Sequence, residues 1–433
     1  MPASEAQVYD TPGGYRFFFP SEHVQIAVKR ISDNRRDQST SAEIRVESLD
    51  PVAPGHIHQA RVNLTSTQAK NSLIKQLKAS NEIFDWEGIV ETLCFQTLEL
   101  HRTGEPLVMI GDRPLSGGAR YRLRPLVPEG MPAIIFGEGG TGKSFIALLA
   151  AILVQSGKSA MGLRPTQGNV LYLDYETSAE TQNERVKAIC AGMNTPVTQI
   201  AYRYCYHPLA EDIETIQDMV ADKAISFLIV DSLGPACGGD PNEAELAIRM
   251  FNALRQLRVS SLLIDHVAKN LQDGQKASPY GSVYKTNLAR SVWQIKPAAG
   301  TEGFHTRVGL YHRKVNFGPL MTDGLGFGMT YQNDQNEQLT SVQIESIGVK
   351  DDVDLSKNLS LGKQIQNCLS GRRMTIDELA VELGMLDDEQ NIDPKRRESL
   401  RVTLARGKGH SFAKWGDEWG LLAIDQAPHE DES

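Results

Sequence analysis

The sequence predicts an α/β core with a mainly parallel sheet, flanked by a smaller domain on each side. Three observations predict it. A Gly-rich octet, Gly137-Glu138-Gly139-Gly140-Thr141-Gly142-Lys143-Ser144, lies between an apolar run and a helical one. Short apolar runs alternate with helical stretches through the middle of the chain, the pattern of a parallel sheet. At 433 residues the chain is also too long for one compact core.

The elements follow in order. Residues 1–112 read as an N-terminal α+β domain without a recognisable catalytic constellation. Runs 15–19 and 23–30 are strand-like, the second with alternating apolar positions, and 35–40 is a polar turn. Runs 42–47 and 58–64 extend that sheet, and helices cover 66–79 and 85–101. In the second helix Trp86, Ile89, Val90, Leu93 and Leu98 share one broad face. The Gly/Pro/Arg-rich stretch 111–130 leads into a domain spanning 113–347. Its candidate strands are 132–136, 169–174, 225–231, 260–265, 291–296 and 307–312. A polar linker over 348–357, a small domain over 358–426 and an acidic tail over 427–433 complete the chain.

Composition narrows the function classes. The chain is 40% hydrophobic and 23% charged, as soluble globular proteins are. No run approaches the ~18 apolar residues of a membrane span. The first residues lack a basic segment followed by an apolar one, so a secretory signal is not expected. Cys94, Cys190, Cys205, Cys237 and Cys368 are scattered, without zinc spacing, which points to a reduced cytoplasm. The net charge of −9 excludes general polyanion attraction, so nucleic-acid binding requires local basic patches.

The octet spells G-x-x-x-x-G-K-S in the setting that gives it meaning. The run 132–136 reads as a buried strand and 145–154 as a buried helix. Glycines let successive N–H groups turn inward around an anion at a helix N-terminus. The expected nucleotide contacts are Gly137, Glu138, Gly139, Gly140, Thr141, Gly142, Lys143, Ser144 and Phe145. Lys143 reaches the β- and γ-phosphates of ATP, and the Ser144 hydroxyl binds Mg²⁺. A second carboxylate for the metal comes from Asp231, where an apolar strand ends at the carboxyl edge of the sheet. Ser232 follows it, so the group that activates water lies elsewhere. Glu176, ending the apolar run from Asn169, is the favoured base, and Asp174 is the competing choice.

With these residues in order, and with Leu262-Leu263-Ile264-Asp265-His266 after them, residues 125–345 resemble RecA-fold ATPases. The pattern is especially similar to the AAA-25 group and the plasmid RepA-type hexameric helicases, relatives of DnaB. The resemblance implies that His266 senses the γ-phosphate, a satisfied core histidine being the alternative. Gly281-Ser282 opens a helix running to about Arg290, and Arg185 matches a frequent helix arginine of the group. Tyr311-His312-Arg313-Lys314-Val315-Asn316 resembles the late basic motif, whose cations reach the γ-phosphate of a neighbouring subunit. Arg313 and Lys314 point to opposite faces of a strand, which leaves the identity of the finger open. The resemblance also implies a homo-oligomer, a hexamer, whose channel loops face single-stranded DNA. Lys269 and Lys276 in the second such loop suit phosphate contacts.

In the last domain, 359–369 reads as a helix, and Thr375 with Glu378 forms a capping box closed by Gly384. A helix over 394–406 carries Lys395, Arg396, Arg397 and Arg401, with Leu400 and Leu404 facing inward. A Gly-Asp turn within 411–424 makes a two-stranded wing. The whole resembles a winged helix-turn-helix, which serves DNA contact or protein docking. The resulting expectation is an ATP-hydrolysing oligomeric motor on DNA, a replicative-type helicase or replication-associated ATPase of plasmid, phage or mobile-element character. The alternative is a non-motor ATP-dependent DNA-binding switch or recombination mediator, with a replication or recombination partner in either case. A transcriptional regulator is a third reading.

Overall fold

A computed structural model describes residues 5–11, 13–34, 36–52, 54–80, 82–104, 107, 109–111, 120–240, 243–267, 279, 283–299, 303–387 and 389–422. The chain divides into two compact units. The first comprises residues 1–118, 209–225 and 252–258, and the second residues 119–208, 226–251 and 259–433.

The first unit contains an antiparallel sheet whose strands lie in sequence order: β1 (Gln7–Thr11), β2 (Gly14–Phe19), β3 (Val24–Asn34), β4 (Ser39–Ser48) and β5 (Gly55–Asn63). Period-2 alternation sends Val24, Ile26 and Val28 of β3 and Ala42, Ile44 and Val46 of β4 to one buried face. Helices α1 (Thr67–Ser80) and α2 (Trp86–Thr103) supply the other half of this core through Leu73, Leu77, Trp86, Ile89 and Leu93. Asp85 caps α2 by accepting from the Gly88 N–H at 3.1 Å. The edge strand β1 has only exposed or half-buried residues, so it carries no hydrophobic alternation that sequence reasoning could detect. Lys29 and Arg30 pair with Asp218 and Glu214 of the helix Ile213–Asp222.

The second unit is built on a mixed sheet. A small ladder joins β6 (Tyr121–Arg124), β7 (Val127–Pro128) and β9 (Arg164–Pro165). The main elements are β8 (Pro132–Gly137), α3 (Lys143–Ser156), β10 (Asn169–Asp174), α4 (Ala179–Gly192) and β11 (Ala201–Tyr204). After α5 (Ile213–Asp222) of the first unit come β12 (Ile225–Asp231), α6 (Leu233–Cys237), α7 (Ala244–Leu257), β13 (Ser260–His266) and α8 (Val283–Leu288). Then follow β14 (Ser291–Pro297), β15 (His305–Val315), β16 (Leu325–Asn333) and β17 (Leu339–Ile347). The strand order is β11-β10-β12-β13-β8-β14-β15-β16-β17. β10 with β11, β12 with β13, and β8 with both β13 and β14 run parallel. From β14 to β17 the sheet turns antiparallel. Thus run 307–312 belongs to an antiparallel meander, and β16 and β17 extend it beyond the strands anticipated from sequence. Helix α3 is apolar all round because it is buried all round: Ile146 through Val154 are at most 1% exposed.

The stretch 348–357, expected as a linker, is folded onto β15. Asp352 caps the short helix α9 (Val353–Ser356) through the N–H groups of Asp354 and Leu355, each at 3.0 Å. Asp352 also pairs with Arg307, and the Tyr311 hydroxyl donates to the Leu355 carbonyl at 2.6 Å. Leu355 is buried with Ala298, Tyr311, Val349 and Leu359. Beyond it, α10 (Leu361–Cys368), α11 (Ile376–Glu382), α12 (Pro394–Gly407) and the hairpin β18 (Phe412–Trp415) and β19 (Glu418–Leu421) enclose a separate core. That core holds Ile365, Leu369, Leu379, Leu400, Leu404, Phe412 and Trp419. Thr375 and Glu378 form a reciprocal capping box on α11. No described helix is long and apolar enough to cross a membrane.

Asp352→Ala removes a helix cap and leaves Arg307 without this carboxylate. It is expected to cost about 1–2 kcal/mol, read as a lower urea midpoint with the ATPase site unchanged.

Candidate nucleotide-binding site

The loop 137–144 joins the carboxyl end of β8 to the N-terminus of α3. Gly142 is the N-cap with φ 80°, the left-handed conformation that favours glycine. A Cβ there would lie 2.6 Å from the Met329 Cε. Gly137 faces β14 so closely that a Cβ would meet the Ile295 carbonyl oxygen at 2.7 Å. The Thr141 hydroxyl donates to the Glu138 carbonyl at 2.8 Å, bracing the loop. Lys143 Nζ donates to the carbonyls of Gly137 at 3.0 Å and Glu138 at 2.6 Å. Burial lowers its pKa, and the carboxylates of Asp231, Glu176, Asp265 and Glu138 act in the opposite direction.

Parallel pairing brings the strand ends together. Asp231 lies beside Ile264, Asp265 beside Phe136, and His266 beside Gly137. Asp231 is buried; Tyr172 donates to its Oδ2 at 2.6 Å, and Ser144 hydrogen-bonds it from the start of α3. Burial raises the Asp231 pKa, and these two hydrogen bonds oppose the rise. A buried carboxylate touching a hydroxyl is an oxygen-only donor set, which fits a hard divalent cation such as Mg²⁺.

Glu176 lies two residues past the end of β10 and is exposed, with 43% of its side chain accessible. Ser232 Oγ donates to its Oε1, and His266 Nε2 stands 3.5 Å from the same oxygen. His266 first, then Ser232 and Lys143, holds the Glu176 carboxyl below its usual range against the effect of burial. It is therefore an ionised acceptor near neutral pH. Asp174, the competing base, is fully buried and engaged in bonds of its own. Its Oδ1 accepts from the N–H groups of Glu176 at 2.9 Å and Thr177 at 2.8 Å, and its Oδ2 accepts from Gln182 at 2.7 Å. The carboxylate thus fixes the turn that carries Glu176.

On the other side of the α3 N-terminus, the Arg185 guanidinium lies 5.3 Å over the Phe145 ring. Tyr331 meets that ring edge-on at 5.2 Å. Sequence reasoning missed Tyr331 because it lies on β16, which was not anticipated. It also missed the buried pair formed by Asp265 and Lys285 at 3.4 Å. Asp265 inside an apolar strand was the available signal, since a buried charge requires a partner.

The remaining candidates are placed apart. Arg313 Nε donates to Gln294 Oε1 at 3.0 Å, and its guanidinium lies 5.2 Å over Tyr311. Lys314 Nζ donates to the carbonyls of Thr286, Asn287 and Ala289 at 2.7, 2.8 and 2.9 Å. A cation is favourable at the carboxyl end of α8, where the last carbonyls are unpaired. Both candidate fingers therefore make contacts within their own chain. Lys269, Lys276, Gly281 and Ser282 lie outside the described residues. On α12, Lys395, Arg396, Arg397 and Arg401 are exposed. Arg397 donates to Asp377 at 2.6 Å, Arg401 to Glu398 at 2.6 and 2.7 Å, and Arg396 lies 3.8 Å from Asp393.

The family described as AAA domain matches residues 117–272. With the strand-end carboxylates and the phosphate-binding loop, this match supports a RecA-like P-loop ATPase domain over those residues. No curated protein matches the chain. Among solved structures, it is similar to a KaiC-like protein from the hyperthermophilic archaeon Pyrococcus horikoshii OT3. That match has 15% identity and a TM-score of 0.35, covering 51% of this chain and 93% of the other.

The raised pKa of Asp231 gives a signed prediction. Ionising this carboxylate costs the folded state, so the penalty is absent below its unfolded pKa and complete above its folded one. Asp231→Asn should raise the thermal midpoint at pH 7 and abolish Mg²⁺-dependent hydrolysis. The stability gain should vanish as the pH falls to the ordinary Asp range.

Proposed function

We propose that the chain is an oligomeric ATP-driven motor on DNA, of the RepA- or DnaB-like replicative type. The observation that carries the ATPase half is the cluster at one sheet edge: Glu176 held by Ser232 and His266, beside Lys143 and Asp231. Glu176 accepts a proton from the water whose oxygen bonds to the γ-phosphorus. The bond from that phosphorus to the bridging oxygen breaks, releasing ADP and phosphate. Lys143 leaves the Gly137 and Glu138 carbonyls for the phosphate oxygens, and His266 reports the γ-phosphate to its own strand. Ser144 and Asp231 would hold Mg²⁺, which would neutralise phosphate charge. Arg185, Phe145 and Tyr331 offer flat faces for the base.

The DNA half rests on α12. Its basic face and the adjoining hairpin suit a winged helix that contacts a polyanion. In the RepA-like reading, six subunits surround a single strand, and Arg313 or Lys314 completes a neighbour's site. The protein then works in the cytoplasm with other replication factors. A second reading, an ATP-dependent switch or recombination mediator, is favoured by one observation. Arg397 and Arg401 are already bonded to carboxylates, which weakens the local positive field.

ATP turnover and strand displacement on a forked duplex test this. Lys143→Ala should abolish nucleotide binding. Glu176→Gln should keep binding and lower turnover on the order of 10²–10⁴-fold. Single-strand-stimulated turnover with displacement supports the motor; stimulation without displacement selects the switch. Wild-type turnover in Glu176→Gln would refute the assigned base.

A further inference from the structure

We propose that the buried pair Asp265–Lys285 is a positioning element for His266, through which α8 sets how the histidine meets Glu176. The inference deepens the ATPase reading above and rests on it. Asp265 precedes His266 on β13, and Lys285 comes from α8, across the segment 267–282. Their side chains are 2% and 0% exposed, with Lys285 Nζ 3.4 Å from Asp265 Oδ2. The other oxygen, Asp265 Oδ1, accepts from the His266 backbone N–H at 2.9 Å. One carboxylate thereby joins the helix to the histidine main chain. The His266 side chain ends 3.5 Å from Glu176 Oε1.

An ion pair this deep is a poor device for stability, because desolvation offsets most of the attraction. An apolar pair would serve packing alone. What an apolar pair cannot supply is an acceptor for the His266 N–H where β13 ends. A second observation concerns the other end of α8. Lys314 holds the carbonyls of Thr286, Asn287 and Ala289, so β15 fixes the carboxyl end of the helix. The helix that delivers Lys285 is thus tied to the strand bearing the late basic motif. Movement of β15 would reach His266 through two buried charges.

The test combines single and double variants of the full chain. His266→Ala and Lys285→Met should each lower kcat about 10- to 100-fold with KM changed less than threefold, as misplacement of a reacting group does. Both should reduce the preference for a non-hydrolysable ATP analogue over ADP, measured by fluorescence titration. Combining them should give no loss beyond that of the larger single effect. Asp265→Leu with Lys285→Met replaces the pair by apolar groups, keeping the fold while removing the acceptor; it should reproduce the Lys285→Met defect. Independent multiplication of the two single losses, an unchanged ATP-to-ADP preference, or wild-type kcat in the folded apolar pair would overturn the proposal. Should Lys285→Met fail to fold, the apolar pair alone decides. Undiminished turnover in Glu176→Gln would instead sink the assigned base, and the nucleotide preferences would still judge the pair.

Discussion

The site depends on holding ionisable groups out of water at the carboxyl edge of a single sheet. Lys143, Asp174, Asp231, Asp265 and Lys285 are all buried there. Each would be costly alone, since an unpaired charge in a low-dielectric interior loses hydration without compensation. Every one therefore has named partners. Lys143 uses two loop carbonyls, Asp231 uses Tyr172 and Ser144, Asp174 uses a turn and Gln182, and Asp265 uses Lys285 and a backbone N–H. The apolar strands beneath supply the stability that such an edge consumes. The same low dielectric strengthens interaction with a phosphate anion.

This constraint explains why so much of the ATPase centre is legible in sequence. A phosphate-binding loop is local: the glycines, Lys143 and Ser144 are consecutive, and one strand and one helix position them. Asp231 and Glu176 are legible because a carboxylate ending an apolar strand is conspicuous. Helices α11 and α12 and the hairpin were readable for similar reasons, through the Thr375–Glu378 capping box of α11, Leu400 and Leu404 of α12, and a Gly-Asp turn. The parallel-sheet signal also led to the core fold, though not to its far edge.

The parts that escaped sequence reading share a cause. Tyr331, Lys285 and the contacts of Lys314 have meaning only once distant elements are paired. Tyr331 approaches Phe145 because β16 joins an antiparallel meander, and Lys285 meets Asp265 because α8 returns to the sheet edge. The polar stretch 348–357 resembled a linker because only two of its residues are apolar and buried, Val349 and Leu355, and their support comes from Arg307 and Tyr311 of β15. Charge counting also leaves out pairing on α12: its arginines are numerous, and Arg397 and Arg401 meet the carboxylates of Asp377 and Glu398. A basic helix in sequence is not the same as an unpaired one in the fold.

The central claim is that the loop 137–144 and the strand-end residues form one ATP site. A crystal structure with Mg²⁺ and a non-hydrolysable ATP analogue tests it most directly. In that structure Lys143 Nζ should have left the Gly137 and Glu138 carbonyls for the β- and γ-phosphates. Ser144 and Asp231 should share the metal, and Glu176 and His266 should flank the γ-phosphate. A nucleotide bound elsewhere, or Lys143 still on those carbonyls with the phosphates out of its reach, would contradict it.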